Sequence, residues 1–457
     1  MDRPKKKIQE KIEKLSSQRR LSFSVQFKKP FKFVSKYWNT LGPGLTTGAA
    51  DDDPSSIATY SQAGAKYGFQ ALWFAFVSFP LMAIIQEMCA RIGLVTGQGL
   101  AANIRKHYTR PVITILTLFL LLTNIFNIGA DLGAMAAAVQ LLVPQIPILA
   151  SVVAFGLIST LLPIFVSYTK YARFLKYLSL ILFSYIIALF FVKINARELF
   201  LNTIIPHITF SKDTIILICA ILGATISPCL FFWQTSQEVE ESEQRDKNKF
   251  SNVSNANVIP KHTISWSLIR NMRIDVWSGM FLSNIVMFAI IAVSGAVLFQ
   301  NGITSISTAA DAAEALRPFA GDFTYILFAL GIIGTGLLAV PILAGSASYA
   351  VSESLGWKFG LSHKWKEATA FYSVIVISIV IGVLMNIFNI NIISILITAS
   401  VISGIVAPFF ILYIVRLSSD GNIMGRYKNS AIVQFIGWCI LFIMGGVGLT
   451  TLIALIM

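Results

Sequence analysis

The sequence predicts an all-α integral membrane protein of about eleven transmembrane helices, built as two inverted five-helix repeats with broken helices 1 and 6 and one extra C-terminal helix. Three observations predict it. The 457-residue chain is 55% hydrophobic and only 13% charged, with a mean hydropathy of +0.72, which excludes an ordinary soluble domain. Apolar runs long enough to cross a hydrocarbon core of about 30 Å recur along nearly the whole length, and runs this continuous fit helices rather than barrel strands. Two of these runs are interrupted by proline beside polar residues, and the interruptions lie five spans apart.

In chain order, residues 1–37 form a basic tail, "MDRPKKKIQEKIEKLSSQRR" and its continuation, with no apolar run and small-residue cleavage site. It reads as a partly helical cytoplasmic tail beside anionic headgroups, not a cleaved signal peptide. Helices 1–5 are expected at Leu41–Gly64, Phe69–Gly93, Val112–Val143, Ile148–Tyr168 and Leu175–Val192, a first repeat over 38–192. Helices 6–10 are expected at Thr214–Ser236, Trp277–Phe299, Phe323–Tyr349, Ala368–Met385 and Ile390–Val415, a second repeat over 193–417. Helix 11, Ile432–Ile456, occupies the last segment, 418–457. The longest polar insert, about 237–273, carries mixed charges with Asn and Ser and reads as a cytoplasmic connector with a helical start.

The net charge of +14 follows topology. Basic connections such as "IRKHYTRP", "YTKYARFLK" and "WKFGLSHKWKE" alternate with base-poor ones such as "VPQIPIL" and "NIFNIN". That alternation places the N-terminus in the cytoplasm and the C-terminus outside, and it accounts for the charge without a nucleic-acid partner. Cys89, Cys219, Cys229 and Cys439 fall in apolar segments without metal-site spacing and read as buried thiols. No nucleophile with a base, His/Cys cluster or nucleotide loop suggests an enzyme or a bound cofactor. Beyond the lipid bilayer, no obligatory protein partner is evident in the sequence.

The first interruption is Asp53-Pro54-Ser55-Ser56 within "GAADDDPSSIATY", and the sixth-span interruption is Ser227-Pro228 within "GATISPCLFFWQ". Proline removes a backbone donor and turns the preceding residue from helical angles. Discontinuous helices at corresponding positions of two repeats build substrate sites from helix ends and freed carbonyls. Asp51, Asp52 and Asp53 repel one another at membrane depth, and no Lys or Arg lies in the first span or mid-sixth, so a bound or carried cation is the economical partner. Alternatively, Asp51 and Asp52 face a water-filled vestibule and only Asp53 is functional. The donors are carboxylate, the hydroxyls of Ser55, Ser56 and Ser227, and the carbonyls of Ala50 and Ala224; Cys229 is the one soft atom nearby. Such hard oxygens suit magnesium, calcium or manganese.

Two further acids lie inside spans. Glu87 has Arg91 four residues on, a structural pair by spacing. Asp131 has no local partner and belongs either to an ion or proton route or to a pair with another helix. His107, His207, His262 and His363 all fall in loops or at their edges, so no intramembrane imidazole is available as a proton relay.

The run "GPGLTTGAADDDPSSIATYSQAGAKYGF" resembles the first helix of the NRAMP divalent-metal transporters, with its Gly-Pro-Gly start, Asp-Pro-Gly-Asn metal motif and following "QAGA.YG". "QEMCARIGLVTGQGLA", "ADLGAM", "GATISP" and "LFALGIIGTGLLAVPILAGS" look like that family's second, third, sixth and eighth helices. The resemblance covers nearly all the hydrophobic chain and implies a leucine-transporter-type fold with alternating access. It implies that Asp53 matches the metal-binding aspartate, Ser56 the motif's asparagine, Ser227 the methionine of the Met-Pro-His motif and Cys229 its histidine. Ala50 and Ala224 match positions whose carbonyls contact the ion, and Ser400, in "SVISGIVAPF", matches a polar tenth-helix residue facing it. The selecting thioether and the histidine are absent, and Ala134 stands where proton-coupled members have a third-helix glutamate. These departures look like the NRAMP-related magnesium transporters, in which a hydrated ion passes without proton coupling. The expectation is therefore inward carriage of Mg2+, with Mn2+ also accepted. Its rivals are a proton-coupled Mn2+ or Fe2+ carrier and an amino-acid or amine carrier of the same superfamily.

Overall fold

The structure, a computed structural model, describes residues 37–206, 211–250, 264–304, 306, 309–388 and 392–456. The basic tail to residue 36, His207, His262 and the middle of the polar connector lie outside the described residues. From Pro43 onward the chain is one helical unit, with no strand among the described residues.

Local chemistry sets the first break. Helix α1 (Pro43–Asp51) stops short of Pro54, and α2 (Pro54–Tyr67) restarts with that proline in its first turn, where a missing N–H is harmless. With 9 and 14 residues at about 1.5 Å per residue, the halves together reach about 34 Å, enough to cross. There follow α3 (Trp73–Thr96), α4 (Leu100–His107), α5 (Arg110–Leu142), α6 (Ile148–Phe165), α7 (Tyr168–Leu178), α8 (Phe183–Leu189) and α9 (Ala196–Ile204). The second broken helix is α10 (Lys212–Thr225) with α11 (Pro228–Phe250). Helices α12 (Trp266–Val297), α13 (Ala309–Leu355), α14 (Thr369–Ile387), α15 (Ile392–Ser419), the single turn α16 (Gly421–Met424) and α17 (Ala431–Ile456) complete the bundle.

Among the described residues ten helices are long and apolar enough to cross a membrane, and the broken α1–α2 pair adds the remaining expected crossing. Several boundaries differ from expectation, the sixth span continuing to Asp246 and the seventh beginning at Trp266. The fifth span begins at Tyr168 rather than Leu175, because "YTKYARFLK" folds as the first helical turns of that span. The connector ends before residue 273: Ser265 caps α12, its hydroxyl accepting the Leu268 N–H at 3.3 Å.

Small residues then dock the half-helices. A Cβ on Gly48 would overlap the Gly279 carbonyl, so α1 lies backbone to backbone on α12. Asp275 of α12 accepts the Gly44 and Leu45 N–H groups at 2.7 and 3.1 Å, satisfying the first turn of α1. On the other side, a Cβ on Gly223 of α10 would meet the Ser400 carbonyl and Gly404 nitrogen of α15. Outward-facing Phe119, Leu157 and Phe442 stay exposed, as a lipid-facing surface requires. All four cysteines are free, Cys439 half-buried and the others buried. Glu87 and Arg91 stand 3.7 Å apart, but the nearer cation is Arg273 of α12 at 2.8 Å, and Trp277 Nε1 donates to the same carboxylate at 2.8 Å.

Candidate metal-binding site

Each break leaves one carbonyl without its helical donor. A helical carbonyl accepts from the N–H four residues on; for Ala50 that residue is Pro54 and for Ala224 it is Pro228, and proline has no N–H to give. Both alanines line the same buried cavity. Asp51, Asp53, Ser55 and Ser56 reach it from the α1–α2 break, and Ser227 and Cys229 from the α10–α11 break. The Gly223 contact with α15 brings Ser400 and Ser403 to the wall, and α5 adds Asn127.

Asp53 is the N-cap of α2. Its Oδ1 accepts the Ser56 N–H and the Ser55 hydroxyl, each at 2.7 Å, so one oxygen organises the half-helix while the carboxylate faces the cavity. Ser227 Oγ and Cys229 Sγ lie 3.0 Å apart, and the Ser346 hydroxyl donates to the Cys229 carbonyl at 2.6 Å. Asn127 Oδ1 is buried and has no hydrogen-bond partner.

Asp52 and Asp131, two of the residues singled out from the sequence, are not on the wall. Asp51 lines the cavity, while Asp52, the first residue past the end of α1, is buried off the wall. There the Ser283 hydroxyl of α12 lies 3.0 Å from Asp51 Oδ2 and 3.4 Å from Asp52 Oδ1. Asp131 follows Asn127 by one turn of α5 and is buried, within reach of Asp53 and of the Ser55 backbone N–H. The remaining predicted residues, Ala50, Asp51, Asp53, Ser56, Ala224, Ser227, Cys229 and Ser400, share the cavity.

Among the described residues no ion pair involves these four aspartates, and no three Asp, Glu, His or Cys side chains converge as a metal cluster. Apart from Cys229, the polar groups the wall residues can offer are one or two carboxylates, hydroxyls, an amide and backbone carbonyls, a hard-oxygen set. The cavity is about 10 Å³, the room of about one water molecule. Sequence reasoning missed Asn127 and Ser403 as wall residues. Their signal was spacing: Asn127 lies one turn from Asp131 and Ser403 one turn from Ser400, each pair on one helix face.

Two broken helices meeting at a polar cavity inside an all-helical membrane bundle define the leucine-transporter-type fold. Within that class the chain belongs to the Nramp family, described as natural resistance-associated macrophage protein-like, whose family model matches residues 44–454. The divalent metal cation transporter MntH of Aeromonas hydrophila is 23% identical over 430 residues, 91% of this chain and 96% of that one. MntH of Erwinia tasmaniensis is 25% identical over 334 residues, 72% and 74% of the two chains. A crystal structure of the Eremococcus coleocola manganese transporter shares the fold with a TM-score of 0.70 at 18% identity, covering 92% of this chain and 87% of that one. Mhp1, a nucleobase-cation-symport-1 family transporter in a closed conformation, matches with a TM-score of 0.56 at 14% identity over 91% of each chain.

Proposed function

We propose that this chain carries a divalent metal cation across the membrane by alternating access. Asp53 is the electrostatic anchor, with the Ala50 and Ala224 carbonyls, Ser56, Ser227, Ser400 and Asn127 as neutral oxygen donors. The observation that carries the reading is the meeting at one cavity of Asp53 with Ala50 and Ala224, whose carbonyls lose their helical donors to Pro54 and Pro228. Relatives named as divalent metal cation transporters support the same direction. The five helices of 38–192 and the five of 193–417 are taken as the two halves of the cycle, with the N-terminus cytoplasmic and carriage inward. An inside-negative potential then contributes about 4.6 kcal/mol per 100 mV to a doubly charged ion.

For ion preference, a wall without thioether or imidazole supports Mg2+, with Mn2+ also accepted. The expectation of a hydrated ion needs refining. The cavity has room for about one water in this conformation, so partial dehydration of Mg2+ is part of the proposed cycle. A second reading, proton-coupled Mn2+ carriage, is favoured by two observations: a structural neighbour named as a manganese transporter, and the buried Asp131 carboxylate near Asp53, a proton-carrying group needing no histidine.

Flux into proteoliposomes separates them. Mg2+, Mn2+ and Ca2+ uptake is measured with and without a pH gradient, alongside lumenal pH. The magnesium reading expects Mg2+ uptake that ignores the gradient. Mn2+ uptake that acidifies the lumen and is unaffected by excess Mg2+ sinks it in favour of the second reading.

A further inference from the structure

One connector of the bundle is fastened to the half-helix that carries Cys229. Glu240 lies about three turns beyond Cys229 on α11, is buried, and its carboxylate is held by neutral donors. Oε1 accepts the Tyr349 hydroxyl of α13 at 2.8 Å and the Leu361 N–H at 2.6 Å, and Oε2 accepts the Ser362 N–H at 3.1 Å. Gln237, one turn back, donates to the same Tyr349 oxygen at 3.4 Å and accepts the Tyr168 hydroxyl of α7 at 3.2 Å. Between this network and the cavity Trp233 is fully buried, packed where a Cβ on Gly345 of α13 would collide with its ring. From Cys229 to Glu240, α11 is thus closed against α13, and through Leu361 and Ser362 it is tied to residues 356–368.

The same connector presents indoles and cations outward. It joins the ends of two helices long and apolar enough to cross a membrane, Gly321–Leu355 and Thr369–Ile387, which sets it at headgroup level. Trp357 and Trp365 are 42% and 37% exposed, and Lys358, Lys364 and Lys366 are exposed. Among the described residues Lys364 and Lys366 make no ion pair, and Lys358 pairs with Glu367 alone, at 3.6 Å. The surface is held in shape: Trp365 stacks on Tyr372 of α14 with ring centroids 5.7 Å apart, and the Tyr372 hydroxyl donates to the His363 carbonyl at 2.7 Å. Indoles settle at the membrane interface and lysines reach to phosphate there. Three lysines against the single Glu367 therefore match a negatively charged headgroup.

We propose that connector 356–368 is a docking surface for anionic phospholipid headgroups, and that the occupied surface holds α11 closed over the ion cavity through Glu240. When α11 moves away, the Leu361 and Ser362 N–H groups lose their acceptor and the connector loses the shape that presents its lysines. Lipid binding and the closed arrangement therefore favour each other. The inference goes beyond the cargo reading and holds whichever ion is carried.

The test uses the purified full-length protein in phosphatidylcholine vesicles with and without phosphatidylglycerol. Quenching of tryptophan fluorescence by brominated lipids gives the headgroup preference, assigned to the connector by subtracting a variant carrying Trp357→Phe and Trp365→Phe. Wild type is expected to prefer phosphatidylglycerol, and Lys364→Gln with Lys366→Gln to lose about fivefold of that preference per lysine, with an unchanged melting profile. The link is read on Cys229, the one thiol on the cavity wall, with Cys89, Cys219 and Cys439 replaced by alanine. Phosphatidylglycerol is expected to slow its alkylation by a soluble maleimide about fivefold, the worth of one lysine contact. Glu240→Gln turns an N–H toward the Ser362 N–H, and Tyr349→Phe keeps the ring without the donor; either variant keeps the lysine-dependent preference and loses the slowing. No preference for phosphatidylglycerol, or one that survives both lysine substitutions, overturns the surface. Alkylation that ignores phosphatidylglycerol in wild type, or is slowed equally in Glu240→Gln and Tyr349→Phe, overturns the link. Slowing by soluble glycerol 3-phosphate in phosphatidylcholine vesicles overturns the lipid as occupant. None of these readouts uses a metal ion, so absent Mg2+ and Mn2+ flux with the lipid results intact bears on the proposed cargo alone.

Discussion

Asp53 both caps α2 and faces the cavity, and a pair of substitutions separates the two roles. In Asp53→Asn the side-chain oxygen still accepts the Ser56 N–H and Ser55 hydroxyl that now lie 2.7 Å from Oδ1, since Asn caps helices about as well as Asp. The charge is gone. Removing one partner of a buried charge pair costs about 2–5 kcal/mol, so divalent affinity falls about 30- to 4,000-fold while the thermal midpoint stays close to wild type. Asp53→Ala loses the same affinity and the cap as well. It costs a further ~1 kcal/mol for the cap and about 1–3 kcal/mol if the buried Ser55 hydroxyl is left unsatisfied, and it melts lower than Asp53→Asn. The measurements are calorimetric titration with Mn2+ and Mg2+ and fluorescence-monitored unfolding of the purified protein. Divalent affinity in Asp53→Asn within about 0.5 kcal/mol of wild type, the range of substitutions away from any site, refutes the anchor role. Equal midpoints for the two variants refute the capping role.

Other outcomes follow from the same geometry. Ser227→Met introduces a thioether at the wall, and the Mn2+-to-Mg2+ ratio of kcat/KM in liposome flux rises about tenfold, roughly 1.4 kcal/mol. Asn127→Leu removes the partnerless Oδ1 and lowers divalent affinity about tenfold or more, read by the same titration. Gly48→Ala forces a methyl against the Gly279 carbonyl and destabilises by about 1–3 kcal/mol in thermal or denaturant unfolding. Gly445→Ala, with open space around its would-be Cβ, is neutral or stabilising by up to about 1 kcal/mol in the same experiment.

The parts of this architecture that are legible in the sequence are those set by local chemistry. Pro54 and Pro228 fix both breaks, and the residues four positions before them, Ala50 and Ala224, are the carbonyl donors wherever the helices pack. Span positions follow from hydropathy in the same way, because a helix in lipid must satisfy its own backbone. What was not legible depends on docking. Asn127 and Ser403 reach the wall only because α5 and α15 stand where they do, and α15 is placed by the Gly223–Gly404 approach, across a separation no periodicity encodes. Of the three consecutive aspartates the sequence singled out Asp53; that Ser283 of α12 reaches both Asp51 and Asp52, and that only Asp51 of that pair lines the cavity, depends on docking. Glu87 shows the same limit: its in-helix neighbour Arg91 was visible by spacing, whereas its closer partner Arg273 comes from a helix far along the chain.

The two carbonyls that Pro54 and Pro228 leave unpartnered have a consequence for the unloaded protein. In most broken helices the gap can close when its ligand departs, because the severed hydrogen bonds can form again. Here that repair is chemically barred, since the atom that would mend each bond was never synthesised into the chain. Proline alone does not break a helix, since Pro80 and Pro341 sit inside unbroken stretches of α3 and α13, but the Ala50 and Ala224 carbonyls stay without that donor in any helical arrangement. Whatever the arrangement of the helices, those two carbonyls can accept only from water, another side chain or a bound ion.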